Sequence, residues 1–204
     1  KVRYVPERKK WFYFDGSRWR EDVESLKTME LCKDLADALI THAITITDEL
    51  KRIEYLKYRS KWQSRRNREI ILKDARSIYP LSMCEFDKNP YLFNCANGTL
   101  NLETMSFYEH NADDFLTKIS PVVYDPVATN ERFDSFITEV MSNDEEKAKF
   151  LQKVLGYALT GDTKFECMFF LYGATTRNGK GTLMESILGV MGDYGKSVSP
   201  ETIA

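Results

Sequence analysis

The stretch "GATTRNGKGT" at residues 173–182 constrains the fold more than any other part of the chain. It follows the apolar run "FECMFFLY" and precedes "LMESILGVMG", in which apolar residues recur at helical spacing. Glycines between a buried strand and a helix let backbone amides point at a phosphate group, and the helix presents its positive end there. A lysine at the start of that helix reaches the terminal phosphates. The pattern therefore predicts a strand, a phosphate-binding loop and a helix.

The spacing of this loop departs from the usual pattern of Gly, four residues, Gly-Lys and Ser or Thr. The four-residue register must begin at Ala174, because Gly173 lies one position too early. Gly181 takes the place of the hydroxyl residue that normally binds Mg²⁺, and the hydroxyl appears one position later, at Thr182. We expect ATP and Mg²⁺ as cofactors, with Lys180 in the catalytic role and Thr182 as the metal ligand. The expected nucleotide-binding residues are Gly173, Ala174, Thr175, Thr176, Arg177, Asn178, Gly179, Lys180, Gly181 and Thr182. A glycine-rich turn that binds nothing is the alternative.

Basic residues are concentrated in one segment, although the whole chain has a net charge of only −2. Between residues 51 and 76, ten basic residues against three acidic ones give +7. A basic face with interleaved aromatic residues is typical of single-stranded DNA binding. The candidate DNA contacts are Lys61, Trp62, Arg65, Arg66 and Arg68. A solvated helix that packs its aromatic residues inward is equally consistent with this pattern.

The remaining sequence predicts a mixed α/β (α+β) chain. A hairpin is expected around Asp15-Gly16, with Trp11 and Trp19 close together across it. Helices are expected over residues 22–44 and 48–77, and a second hairpin at Asn97-Gly98. From residue 132 the pattern returns to helices that end near residue 161, one of them capped by Asn143 or Asp144.

Several blocks of the sequence resemble, in order and spacing, the phage and plasmid primase family and the poxvirus-type primase-helicases. The blocks are "FDKNPYLFNCANGTLNLETMSFYEHNADDFLTK", "VVYDP", "FLQKVLGYALTGDT" and "FFLYGATTRNGKGTLMESILGVMGDYG". The resemblance implies a family-specific domain at residues 1–131, followed at residues 132–204 by the start of a superfamily 3 helicase. That start comprises the first strand, the phosphate loop and the helix of an AAA+-like ATPase core.

The same resemblance implies the partners and the setting of the protein. It implies a hexameric ring that moves along single-stranded DNA and a fused primase domain upstream. No apolar stretch of the sequence approaches the roughly 18 to 20 residues needed to cross a bilayer, so we expect the cytoplasm of a bacterial host, without membrane attachment. The metal-binding acidic motif, the sensor and the arginine finger of the family are expected beyond Ala204, so we expect this piece alone not to hydrolyse ATP efficiently. The alternatives are an oligomerisation collar or DNA-loading module that does not use ATP, and a small nucleotide kinase.

Overall fold

The computed structural model describes residues 1–78, 80–173, 177–199 and 201, and the chain divides into two compact units. Unit 1 comprises Lys1–Asp15 and Trp19–Phe86, and unit 2 comprises Gly16–Arg18 and the residues from Asp87 onward. Within the described residues, each unit has a three-stranded antiparallel sheet and three α-helices. The prediction of a mixed helix-and-sheet fold is confirmed, and the boundary at residue 132 stays a prediction.

The sheet of unit 1 begins the chain and contains the predicted hairpin. Its strands are β1 (Val2–Val5), β2 (Lys10–Phe14) and β3 (Trp19–Glu21), in that spatial order. Phe14 pairs with Trp19, so the hairpin loop that contains Asp15-Gly16 has four residues. The register places Trp19 on the same face as Phe14, and therefore on the face opposite to Trp11. The expectation that the two tryptophans meet is wrong.

Three helices complete unit 1: α1 (Leu26–Thr45), α2 (Glu49–Gln63) and α3 (Arg65–Ala75). The prediction of one helix over residues 48–77 is wrong, because the backbone leaves the helical region at Ser64, where ψ is 125°. Asp48 caps α2 by accepting a hydrogen bond from the Lys51 amide at 3.2 Å. The sheet and the helices share a buried cluster of Tyr4, Trp11, Cys32 and Leu72.

Unit 2 contains the second predicted hairpin. Its sheet consists of β4 (Leu92–Cys95), β5 (Gly98–Asn101) and β6 (Ser106–Tyr108), in that order. Cys95 pairs with Gly98, so the first turn is the two-residue loop Ala96-Asn97, and the prediction of a hairpin here is confirmed. A Cβ atom at Gly98 would lie 2.4 Å from the carbonyl oxygen of Tyr108, which explains the glycine at this position.

The helices of unit 2 are α4 (Glu131–Val140), α5 (Glu145–Ala158) and α6 (Lys180–Met191). Asp144 caps α5 by accepting from the Lys147 amide at 3.1 Å, as the sequence predicted. The three helices share a core of Ile137, Leu151 and Leu183, one residue from each. Among the residues described, no helix has the length and apolar character that a membrane crossing requires.

The predicted strand before the phosphate loop is wrong. Residues 165–172 have no strand pairing, and several of their apolar side chains are exposed, with Phe170 at 82% and Tyr172 at 90% of full accessibility. Two aromatic rings of this segment pack on α5. The ring centroids of Phe165 and Tyr157 are 5.3 Å apart, and those of Phe169 and Phe150 are 6.4 Å apart. A buried strand requires neighbouring strands, and the described part of the chain offers this segment none. The ATPase core expected from the resemblance is therefore not present as a parallel sheet in the described residues.

Candidate phosphate loop and basic surface

The helix predicted after the phosphate loop forms, and it begins at Lys180. Gly179 precedes it with φ +78°, a left-handed conformation that a residue with a Cβ adopts at a cost. A Cβ at this position would also lie 2.5 Å from Cγ1 of Val140 and 3.1 Å from Cε2 of Phe136. Gly179 is therefore required both for the turn into α6 and for the close approach of that turn to α4.

Three predicted site residues converge at the amino end of α6. The ammonium group of Lys180 donates to Oδ1 of Asn178 at 2.7 Å. A Cβ at Gly173 would lie 1.9 Å from Nδ2 of Asn178 and 3.3 Å from Nζ of Lys180, so the Gly173 backbone lies directly beside both side chains. Lys180 and Asn178 are half-buried. The arrangement gathers a cation, an amide side chain and a glycine at the positive end of a twelve-residue helix.

The other predicted loop residues are exposed or lie outside the described residues. Ala174, Thr175 and Thr176 lie outside the described residues. Arg177 is exposed and has φ +59°. Gly181 and Thr182 are exposed in the first turn of α6. The assignment of Thr182 to Mg²⁺ stays a prediction, and no group of three or more His, Cys, Asp or Glu side chains in the described ranges could hold a metal ion.

Two of the basic-segment side chains close the break between α2 and α3. Nη1 of Arg68 donates to the carbonyl oxygens of Trp62 at 2.8 Å and Gln63 at 2.7 Å. Nδ2 of Asn67 donates to the carbonyl oxygen of Lys61 at 2.9 Å. The last carbonyls of a helix have no partners within the helix, so these two side chains of α3 satisfy the end of α2. The guanidinium group of Arg68 thus has a structural role at this break.

The other cations of the basic segment differ in whether they pair with acidic side chains. Arg65 forms an ion pair with Glu69 at 2.8 Å. Lys57, Lys61 and Arg66 are exposed, and among the residues that the structure describes none of the three has a recorded ion pair. We call Lys57, Lys61 and Arg66 the basic surface. Of the predicted contacts, Lys61 and Arg66 lie on this surface.

The aromatic side chains of the basic segment divide in a similar way. Tyr55 packs edge-on against His42 of α1, with ring centroids 5.4 Å apart. Trp62 is half-buried at the end of α2. Tyr58 is 51% exposed, so its ring offers a surface on which an unpaired base could stack.

Unit 2 contains a fully buried polar residue that the sequence pattern did not predict as a site. Asn94 in β4 is fully buried, and its Nδ2 donates to the carbonyl oxygens of Ser17 at 3.0 Å and Lys118 at 2.9 Å. Its Oδ1 lies 2.9 Å from Nδ1 of His110. An Asn inside an apolar strand run, next to an Asn-Gly turn, was the only sequence signal. Asn94 therefore connects β4 with two loops that lie far from it in sequence.

The fold and the loop together define the class of this protein: a helix-and-sheet module joined to a helix that begins at a Gly-Lys pair. Residues 1–142 match the family model described as D5 N terminal like. The chain belongs to this family, whose domain is the N-terminal part of phage- and poxvirus-type primase-helicase proteins. The match ends after α4 and does not include the candidate phosphate loop. The comparison with curated proteins found no matching sequence.

Proposed function

We propose that this chain is part of an ATP-dependent replicative DNA helicase of the primase-helicase type and that the amino end of α6 holds the phosphates of ATP. The observation that supports the proposal is the convergence of Lys180, Asn178 and the Gly173 backbone at that helix end. Helix amino ends bind phosphate through free backbone amides and a positive dipole. Mg²⁺ would bind with the nucleotide, and Thr182 supplies a hydroxyl group in the first helical turn.

The hydrogen bond that Lys180 makes with Asn178 could be replaced by one to a phosphate oxygen. In the described structure the ammonium group of Lys180 donates to Oδ1 of Asn178, which is an uncharged amide oxygen. The ammonium group is positively charged, so its attraction to an anionic phosphate oxygen exceeds its attraction to this uncharged amide oxygen. A phosphate oxygen would therefore displace the amide oxygen without breaking an ion pair, and Lys180 would contact the β and γ phosphates.

Nucleotide titration with a matched lysine control tests this assignment. The change is Lys180→Ala, and the control is Lys196→Ala, an exposed lysine close in sequence that follows α6. ATP binding in the presence of Mg²⁺, measured by isothermal titration calorimetry, should weaken at least tenfold in the first variant and remain unchanged in the second, since a charge-assisted hydrogen bond contributes about 1.5–3 kcal/mol. Equal affinities in the two variants would remove Lys180 from the site.

We further propose that the basic surface binds single-stranded DNA, with Tyr58 stacking on an unpaired base. Lys57 and Lys61 are four residues apart and share the outer face of α2. Arg66 lies just beyond the break, at the start of α3. Arg68 contributes by holding the two helices at this break. The proposed contact is made with the DNA backbone and with the face of a base, so it does not depend on the base sequence.

The salt dependence of binding tests the DNA contact. Each neutralised phosphate contributes about 0.7 to the slope of log affinity against log salt for single strands, so Lys61→Ala with Arg66→Ala should reduce the slope by about 1.4. The control removes Arg132 and Lys149, which are exposed cations paired with neighbouring acids in the acidic part of the chain. Fluorescence anisotropy of a labelled oligonucleotide gives both slopes. If the two double variants lose affinity equally, general charge attraction accounts for the binding.

A module that loads DNA or forms an oligomeric collar without using ATP is the second candidate function. The exposed segment 165–172 favours it, because this segment has no strand pairing and the described residues therefore lack the sheet that usually precedes a phosphate loop. Under this alternative, DNA binding or a defined oligomer in size-exclusion chromatography would persist while calorimetry registers no nucleotide. The ring that the leading proposal implies should instead assemble more readily with ATP and Mg²⁺.

A further inference from the structure

The carboxyl end of α6 is bound to the loop that follows the second sheet. Oγ of Ser120 donates to the carbonyl oxygen of Val190 at 2.5 Å. The Asp193 amide donates to the carbonyl oxygen of Ile119 at 3.2 Å, and the Ile119 amide donates back to the Asp193 carboxylate at 3.2 Å. Arg18 forms an ion pair with the same carboxylate. The end of the helix is thus held by reciprocal bonds.

Tyr194 makes a second connection, to β4 itself. Its hydroxyl group accepts a hydrogen bond from the backbone amide of Asn94 at 3.0 Å, and its ring centroid lies 4.8 Å from that of Phe93. Burial raises the pKa of Tyr194 to about 12. The hydroxyl therefore stays protonated at neutral pH and is available as a fixed hydrogen-bonding group.

The backbone just before Asp193 and Tyr194 also lies in close contact with this loop. Gly192 has φ +53°, and a Cβ there would lie 2.5 Å from Cδ of Pro121 and 2.8 Å from the carbonyl oxygen of Ile119. The loop in turn is fixed to the sheet, because the Ser120 amide donates to the carbonyl oxygen of Asn94 at 2.7 Å. The helix end has little room to move against this loop.

The other parts of α6 are fixed by apolar contacts. Leu183 is 2% exposed and lies in the core with Ile137 and Leu151. The turn at Gly179 approaches Val140 closely. A helix of twelve residues is about 18 Å long, and its backbone hydrogen bonds hold its two ends in a fixed relation. A change in the fixation at one end therefore alters the direction of the other end, where Lys180 begins the helix.

We propose that Asp193 and Tyr194 are positioning residues that set the direction of α6 and thereby the geometry of the phosphate loop. The inference rests on the proposed nucleotide function for its role in binding. The fixation of the helix can be tested without nucleotide.

The test compares Tyr194→Phe and Asp193→Asn with the control Tyr124→Phe. Tyr124 belongs to the same unit, and within the described residues its hydroxyl group has no recorded hydrogen bond. Hydrogen exchange of the amides at residues 183–187 is measured by mass spectrometry in the absence of nucleotide. Both variants should exchange about three- to tenfold faster there, the factor expected from one lost hydrogen bond, and the control should match the unmodified chain. Acceleration confined to residues 190–196 would overturn the proposal.

The second readout is the dissociation constant for ATP with Mg²⁺, corrected for the folded fraction. We expect a three- to tenfold weaker affinity in Tyr194→Phe, because the loop geometry is less well defined, whereas a residue that only stabilises the fold would leave the corrected affinity unchanged. If the unmodified chain binds no ATP, the nucleotide function fails, while the exchange rates still decide whether these residues fix α6. An unchanged corrected affinity in a chain that does bind ATP would overturn the positioning role.

Discussion

Replacing Gly179 by Ala should destabilise unit 2 although it adds one methyl group to a loop. The backbone at this residue has φ +78°, and a non-glycine residue in that region costs about 1–2 kcal/mol. The new Cβ would lie 2.5 Å from Cγ1 of Val140, and overpacking of this kind costs about 1–3 kcal/mol. The two effects together predict a loss of about 2–5 kcal/mol in the free energy of unfolding.

Gly181 provides a control two residues away. It lies in the first turn of α6, and a Cβ there would meet nothing within 4 Å. Gly181→Ala should therefore stabilise by up to about 1 kcal/mol, because alanine favours the helix over glycine. Urea unfolding followed by circular dichroism measures both variants. The reasoning would be refuted if Gly179→Ala left the stability within about 0.5 kcal/mol of the unmodified chain, the ordinary range for uninvolved surface positions.

Further variants of unit 2 test its packing and its electrostatics. Asn94→Ala should cost about 2–4 kcal/mol in urea unfolding, since it removes a fully buried side chain that donates to the carbonyl oxygens of Ser17 and Lys118. A loss below about 1 kcal/mol would argue against the role of Asn94 as a connection. Leu183→Ala should cost about 2.7–5 kcal/mol by thermal or urea unfolding, because the side chain is 2% exposed within the core. Burial raises the pKa of Asp114, beside Tyr108, above the ordinary aspartate value of about 4. The protonated carboxyl group of Asp114 therefore contributes stability at low pH. This contribution is lost as the pH rises through the raised pKa. Asp114→Asn should remove this component from the pH dependence of stability measured from about pH 4 upward, and an unchanged pH profile would contradict the assignment.

The local elements were predictable where specific turn and capping residues mark their ends in the sequence. The hairpin at Asn97-Gly98 and the cap at Asp144 depend on the residues of the turn and the cap, so sequence reasoning identified both. The break at Ser64 was not predictable from helical periodicity, because Arg68 and Asn67 stabilise it only after α3 has packed beside the end of α2. Periodicity describes one helix at a time and contains no information about such contacts.

The strand predicted at residues 165–172 is absent from the structure because a strand depends on more than its own composition. Its composition is typical of a buried strand, but hydrogen bonding in a sheet depends on neighbouring strands, and composition does not show whether they are present. The candidate site is divided in the same way. The Gly-Lys pair identified the start of α6, whereas Asn94 and Tyr194 become significant only through contacts with residues that are distant in sequence.

The most direct test of the central claim is nuclear magnetic resonance of the backbone amides during titration with ATP and Mg²⁺. If the amino end of α6 holds the phosphates, the amide signals of Gly179, Lys180, Gly181 and Thr182 should shift together, and Lys180→Ala should suppress the shifts. Signals that stay unchanged at these four residues at saturating nucleotide, or shifts confined to α2 and α3, would contradict the claim.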